Sequence, residues 1–109
     1  MTTKQERREM WARALESGEY AQTRGVLRTD AGYCALGIGC DVFVRENPGG
    51  IGWRHSVYGD SWNIDGMMTL MPDAIARWYG MSLSLQRDIS SANDRGKLPL
   101  AEIAKLVRL

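Results

Sequence analysis

Residues 20–44 read YAQTRGVLRTDAGYCALGIGCDVFV, and this stretch decides the fold because it holds both cysteines and a hairpin signal. The tripeptide at 30–32, Asp-Ala-Gly, has the residue types of a three-residue hairpin loop. The pattern therefore predicts a short antiparallel pair of strands. One strand is expected within 23–29, and the return strand over 33–35.

The segment after the hairpin fits two secondary structures. Every second residue from 34 to 44 is apolar or a cysteine, which is typical of a strand. One helical face is equally apolar and would carry Leu36, Cys40, Phe43 and Val44. Gly37 and Gly39 weaken both interpretations. A helix over 35–46 is favoured, because Asn-Pro-Gly-Gly at 47–50 is typical of a helix C-terminus and because small residues permit close packing.

The remaining elements are mostly helical. Thr3 and Glu6 have the spacing of a capping box, so a helix is predicted over 4–17, with its charged face in solvent. Residues 51–71 are rich in glycine and aromatics and predict an ordered loop with short strands, including an extra strand within 53–64. Three further helices are predicted, over 72–79, from Ser82 or Ser84 to about 92, and from 99 to the terminus. The expected fold is α+β: a small antiparallel hairpin or short sheet packed against four to five helices, in one domain over 1–109.

Composition limits the classes of function. The 109 residues suffice for one modest core, and a net charge of +1 produces no overall field towards nucleic acid or an anionic membrane. The N-terminus, MTTKQERREMW, lacks the apolar core of a signal peptide, and no run approaches the roughly 20 apolar residues of a membrane span. A cytoplasmic protein with two free thiols and no membrane partner is expected.

Four blocks of the sequence resemble one family. They are WARALESGEY at 11–20, GYCALGIGCD at 32–41, MPDAIARWYGM at 71–81 and SANDRGKLPLAEIAKL at 91–106. They are similar to small, largely uncharacterised bacteriophage and prophage proteins that carry W-x-x-A-L-x-S-G-x-Y-x-Q, C-C-L-G-V-L-C-D and L-N-D-x-G motifs. This chain departs from that pattern at Ala35, Gly39 and 98–100. The resemblance implies a phage accessory protein of the host cytoplasm, in a class whose members often block host defences by binding.

The residue types that carry catalysis are scarce. Cys34 and Cys40 are separated by five residues, which is the spacing of neither a zinc knuckle nor a C-x-x-C redox pair. His55 is the single histidine, so a Cys-His pair would have to use it, and buried thiols are the favoured interpretation. The glycines form no phosphate-binding fingerprint. We expect no enzyme, no catalytic residues, no metal and no cofactor.

Binding residues are predicted in two segments. The loop after 50 carries the aromatic and polar side chains of Trp53, Arg54, His55, Tyr58 and Trp62, which suit stacking, phosphate pairing or protein contact. The earlier segment supplies Tyr20, Gln22, Arg24 and Arg28. Free backbone amides near the hairpin turn and the next helix could add an anion site beside the two arginines. The alternative is that the tryptophans belong to the core and the glycines serve packing.

These features predict a non-enzymatic phage-type protein that inhibits a host process by stoichiometric binding. The expected ligand is nucleotide-like. A direct protein-protein blocker of a host enzyme or complex is the main alternative. A small DNA-binding regulator that uses the last two helices is a weaker one, and a homo-oligomer is left open.

Overall fold

The first helix confirms the predicted capping signal. In the computed structural model, which describes residues 2–109, α1 spans Lys4–Glu16. The Thr3 side chain accepts a hydrogen bond from the Glu6 backbone, and the Glu6 carboxylate accepts one from the Thr3 backbone. Trp11, Ala12 and Leu15 are buried on its inner face.

The ambiguous segment is a helix, as predicted. α2 spans Ala35–Glu46 and begins at Cys34, whose sulfur accepts from the Gly37 backbone. Its glycines allow neighbours to approach the helix closely: a Cβ at Gly37 would lie 1.8 Å from the Leu27 carbonyl oxygen, and one at Gly39 would lie 2.7 Å from the Trp11 ring. The glycines that weakened the helical pattern in the sequence are therefore required by packing.

A four-stranded antiparallel sheet lies beside the helices. Its strand order is β2-β1-β4-β3. The strands are β1 (Arg28–Thr29), β2 (Gly32–Tyr33), β3 (Trp53–His55) and β4 (Ser61–Ile64). The hairpin prediction was wrong in detail: Thr29 pairs with Gly32, so the loop has two residues, not three. β1 lies inside the segment in which a strand was predicted, whereas the return strand spans 32–33 instead of 33–35, because Cys34 already caps α2.

Three helices complete the domain. They are α3 (Asp73–Tyr79), α4 (Leu83–Asp94) and α5 (Leu100–Val107). Pro72 and Pro99 precede the first and last of them, and Ser82 caps α4 by accepting from the Leu85 backbone. Gly80 ends α3 in the left-handed region, with φ of 67°. Over residues 2–109 the chain is thus one α+β domain of five helices and one sheet, and none of these helices is long and apolar enough to cross a membrane.

All five helices contribute to the core, and its largest side chain, Trp11, lies where α1 meets α2 and α3. The Trp11 indole is fully buried and donates to the Ala35 carbonyl over 3.0 Å, and its ring centroid lies 4.8 Å from that of Tyr79. The Tyr79 hydroxyl in turn donates to the Gly39 carbonyl over 2.6 Å. Trp11 and Tyr79 therefore hold α1 and α3 against the side of α2 that carries the glycines.

The charged face of α1 is more than a solvated surface, which corrects the prediction from sequence. Arg7 and Arg8 donate to the last carbonyls of α3, at Trp78, Tyr79 and Gly80. Glu9 and Glu16 both pair with the Arg108 guanidinium, which ties the C-terminal residues to α1. These long-range contacts could not be read from helical periodicity.

Candidate functional site

One row of side chains crosses the whole sheet. Arg28 is directly opposite Tyr33 on β2 and Trp62 on β4, and Trp62 is opposite His55 on β3. Directly paired residues project from the same face of a sheet, so each strand contributes one side chain to the row. We call Tyr33, Arg28, Trp62 and His55 the cross-sheet row.

The Arg28 guanidinium is the centre of the row. It lies 3.9 Å from the centroid of Trp62, 4.9 Å from that of Tyr33 and 5.4 Å from that of Trp53. Each distance is within the range of cation-π attraction. The guanidinium makes no hydrogen bond and no ion pair with any of residues 2–109, and the side chain is only half-buried. Three rings therefore fix the orientation of a cation whose N–H donors stay available.

A carboxylate on α2 supports one end of the row. Tyr20 packs edge-on against Tyr33 with ring centroids 5.0 Å apart. Its hydroxyl donates to Oδ2 of the buried Asp41 over 2.6 Å, and the Trp53 indole donates to Oδ1 over 3.1 Å. Burial, and then the bond to Asp41, raise the pKa of the Tyr20 hydroxyl far above its usual range. Tyr20 therefore stays neutral and acts as a donor.

Asp41 also pairs with a second arginine. Arg45, one helical turn further along α2, places its Nε 3.3 Å from Oδ2 of Asp41. The Arg45 guanidinium lies 5.5 Å from the centroid of Tyr20, and its side chain is 61% exposed. The buried Asp41 carboxylate thus positions the side chains of Tyr20, Trp53 and Arg45.

The other end of the row is a polar cluster on Asp30. Its Oδ1 accepts from the Trp62 indole over 2.9 Å and lies 3.1 Å from Nε2 of His55. The Trp62 hydrogen bond, followed by the charge of His55, lowers the pKa of the Asp30 carboxyl. Nδ1 of His55 faces the Ser56 carbonyl at 2.8 Å, so both ring nitrogens of His55 already face acceptor oxygens. These contacts orient the rings of the row. Neither ring nitrogen of His55 faces a cysteine thiol, as a Cys-His pair would require.

The side chains of Gln22 and Arg24 are engaged away from the row, although the Gln22 backbone forms a parallel bridge with Tyr33. The Gln22 amide donates to the Asn93 side chain and to the Leu98 carbonyl, and Arg24 donates to the Asn93 carbonyl. Asn93 is fully buried, and it also binds the backbone of Thr23 and Ala35. In the structure, these two predicted ligand residues therefore tether the 20–26 segment to the end of α4.

Arg54 and Tyr58 face another surface. Arg54 alternates with Trp53 and His55 along β3 and so projects from the opposite face of the sheet. With Tyr58, Val57 and Met68 it lines an open groove of about 630 Å³ along the β3–β4 hairpin. His55 lines this groove too, and so it is the residue shared by the groove and the cross-sheet row.

The thiols and the expected free amides are engaged inside the protein. Cys34 and Cys40 are both buried, and burial raises the pKa of the Cys34 thiol to about 11 and that of the Cys40 thiol well above its usual value. The backbone N–H of Ala31 donates to the Thr29 hydroxyl, that of Ala35 to Asn93 and that of Gly37 to the Cys34 sulfur, so these amides are not free for the anion considered near the hairpin turn and the next helix. Within residues 2–109, no three His, Cys, Asp or Glu side chains gather as a metal site.

Four residues of the site were not predicted from the sequence: Tyr33, Asp30, Asp41 and Arg45. A sequence signal exists for Tyr33. A two-residue hairpin loop would have placed Tyr33 opposite Arg28. Asp30, Asp41 and Arg45 reach the site through tertiary contacts, for which the sequence carries no local pattern.

Taken together, the contacts define a half-exposed aromatic and cationic surface on a small α+β domain. The chain belongs to the family described as domain of unknown function DUF8296, whose model matches residues 3–109. No curated protein and no solved structure matches the chain.

Proposed function

We propose that this protein is a non-enzymatic binding protein that captures a nucleotide-like ligand on the cross-sheet row. The observation that carries the proposal is the Arg28 guanidinium, held against Trp62, Tyr33 and Trp53 without a hydrogen-bond partner among residues 2–109. An arginine stacked in this way keeps the donors at its edge free for a phosphate. The rings beside it offer faces and edges to a planar base.

The support around the row favours binding over turnover. Trp53 and Trp62 are both fixed by indole hydrogen bonds to carboxylates, and Tyr20 is fixed by its hydroxyl. Side chains that are held before the ligand arrives lose little entropy on binding. The buried thiols and the engaged histidine supply no positioned nucleophile.

The biological setting of the proposal comes from the sequence. The motif blocks at 11–20 and 32–41 resemble small bacteriophage and prophage proteins. We propose on that ground that the captured ligand serves a host process, such as defence, and that the protein inhibits the process in the host cytoplasm by holding the ligand stoichiometrically.

Native mass spectrometry of freshly purified protein, followed by thermal shift with adenosine and guanosine phosphates, tests the proposal. A ligand that binds only the folded state raises Tm, and the shift grows with the logarithm of the ratio of ligand concentration to Kd. We expect Arg28→Gln to abolish the shift, and Arg87→Gln, an exposed arginine on α4, to retain it. A nucleotide shift that survives in Arg28→Gln, or the absence of a shift with every nucleotide, would refute the proposal.

A second candidate is a direct protein-protein blocker of a host enzyme or complex. The observation that favours it is the tip of the β3–β4 hairpin, where Val57 is 91% and Tyr58 87% exposed. Met67 and Met68 are exposed as well, and Met68 lines the same groove as the tip residues. Exposed apolar side chains clustered on one hairpin are typical of protein contact sites.

The double variant Val57→Ser, Tyr58→Ser separates the two candidates. These residues project from the hairpin tip, so we expect Tm to stay within a degree or two of the parent. If the protein acts as a blocker, inhibition of host growth on expression is lost in this variant and persists in Arg28→Gln. If it acts by ligand capture, the opposite pattern is expected.

A further inference from the structure

Cationic and aromatic side chains continue beyond the row into a longer ladder. In spatial order its members are Arg45, Tyr20, Tyr33, Arg28, Trp62 and His55. Neighbouring groups along it lie 5.5, 5.0, 4.9, 3.9 and 4.8 Å apart, measured from guanidinium carbon to ring centroid or between ring centroids. Each of the six side chains is at least partly exposed. The ladder thus forms one continuous strip on the surface.

We propose that this ladder binds a short single-stranded oligonucleotide, with successive phosphates on Arg45 and Arg28 and bases against Tyr20, Tyr33 and Trp62. The inference rests on the proposed function and specifies its ligand class. Proteins that hold single strands combine cations that follow the backbone with aromatic rings that stack on the bases. Deoxyribose and ribose chains share this chemistry.

The placement of the two arginines favours a ligand of more than one nucleotide. Arg45 lies over Tyr20 and Arg28 over Tyr33, so the guanidiniums are at opposite ends of the tyrosine pair. Arg45 uses its Nε for Asp41, and its terminal nitrogens make no hydrogen bond with residues 2–109. Two separated cations on one aromatic strip match a backbone with repeating phosphates.

The shape of the surface supports the same conclusion. Sites for single small molecules are concave and enclose most of the ligand. Of the ladder residues, His55 lines the open groove along the β3–β4 hairpin, whereas Arg28, Tyr33 and Trp62 line none of five separate cavities on the described surface. An open strip gains affinity by spreading contacts along an extended ligand.

The carboxylates limit the length of that ligand. Asp30 and Asp41 flank the ladder, and the net charge of the chain is only +1. The protein therefore lacks the cationic field that long nucleic acids require. Two phosphate contacts on single-stranded nucleic acid predict a slope of roughly −1.4 for log K against log salt concentration.

Tryptophan fluorescence titrations with thymidylates and uridylates of one to four nucleotides test the inference. We expect affinity to rise about tenfold from one nucleotide to two and to level off by three or four. Arg45→Gln should weaken dinucleotide binding more than mononucleotide binding, and Arg28→Gln should weaken both. Arg87→Gln, outside the ladder, should match the parent for every length.

The outcomes separate this inference from the function on which it rests. Affinity that does not change with length, or an Arg45→Gln variant with the dinucleotide affinity of the parent, overturns the oligonucleotide inference and leaves mononucleotide capture standing. If no length of either series binds, the oligonucleotide inference is refuted, and the thermal shifts with adenosine and guanosine phosphates decide whether mononucleotide capture stands. A gain with length in one series alone supports the inference, and deoxyuridylates, which have the sugar of one series and the base of the other, then assign the preference to the sugar or to the C5 methyl group.

Discussion

The Tyr20 hydroxyl donates a 2.6 Å hydrogen bond to Asp41, and this carboxylate also accepts from the Trp53 indole and pairs with Arg45. One buried group on α2 thus orients an aromatic residue from the loop before β1 and another from β3. The side chains on this face of the sheet are therefore held in place from a helix, and substitutions in that helix should disturb the proposed binding even where the substituted residue would not contact the ligand.

Asp41→Asn is expected to destabilise the protein by about 1–3 kcal/mol. The amide can still accept from some of the surrounding donors, but it loses the charge that strengthens two hydrogen bonds and forms the ion pair with Arg45. Urea unfolding measures the change in free energy. Asp88→Asn, an exposed carboxylate of α4, is the matched control and should remain within about 0.5 kcal/mol of the parent. Equal stabilities for the two variants would contradict the anchoring role.

Gly37→Ala should be severely destabilising, by roughly 3 kcal/mol or more. Its Cβ would be 1.8 Å from the Leu27 carbonyl oxygen, and a backbone atom cannot rotate away as a flexible side chain can. Gly52→Ala is the control, because nothing lies within 4 Å of the Cβ position there and its φ is not positive. Thermal unfolding of the two variants makes the comparison, and a Gly37→Ala protein with the Tm of the parent would disprove the close packing.

Asn93→Ala is expected to cost about 2–4 kcal/mol. The buried amide accepts from Gln22 and from the Ala35 backbone and donates to the Thr23 carbonyl, so truncation leaves several buried groups without a partner. The control is Asn63→Ala, since Asn63 makes a single weak hydrogen bond of 3.4 Å. Denaturant unfolding should show a large change for the first variant and a small one for the second.

Hydrogen exchange on Asn93→Ala adds a spatial readout. Amides of the 20–26 segment should lose protection first, because this side chain joins that segment to the end of α4. Uniform loss across the chain would instead assign Asn93 to the general core.

The pairing of Arg108 with α1 should make stability depend on pH. Hydrogen bonds from Arg108 lower the pKa of Glu9 to about 2, from an ordinary value of 4.5, and also lower that of Glu16. A lowered pKa in the folded state stabilises the fold above about pH 4.5, and this stabilisation is lost as pH falls towards 2. Tm of the parent should therefore exceed that of Arg108→Gln at pH 7.

The difference in Tm between these two proteins should shrink as pH falls from 4.5 to 2. Lys105→Gln, also on the last helix but paired with the exposed Glu102, serves as the control. A Tm difference between parent and Arg108→Gln that stays constant down to pH 2 would exclude the ion pairs as its source.

Both cysteines should be unreactive in the native protein. Burial raises the pKa of the Cys34 thiol to about 11 and that of Cys40 well above its usual value, so the reactive thiolate is scarce at pH 8. Titration with a coloured disulfide reagent should detect few thiols in buffer and two per chain in denaturant. Fast reaction of either thiol in the native state would contradict the burial of α2.

Periodicity and caps were sufficient to predict most of the fold. The Thr3 capping box, the prolines at 72 and 99 and the glycine at 80 mark helix ends by local chemistry, and the structure confirms them. The α+β class followed from these elements. Sheet order did not, because β4 inserts beside β1 through contacts between residues far apart in sequence.

The candidate site was predicted only in part. The sequence pointed to Tyr20, Arg28, Trp53 and Trp62, which the structure brings together around the guanidinium and Asp41. It also grouped Arg24 with Arg28, although the side chain of Arg24 extends towards Asn93. Residue type shows what a side chain can bind, but its direction depends on the register of strands that are only two to four residues long.

The cross-sheet row takes one residue from each of four strands, two before α2 and two after it. No contiguous peptide contains all four residues. A fragment, or a partly folded chain that keeps its helices, would therefore lack the row and could not bind the proposed ligand. Ligand binding would therefore indicate that the tertiary structure is complete, and an immobilised ligand could separate correctly folded variants from collapsed ones.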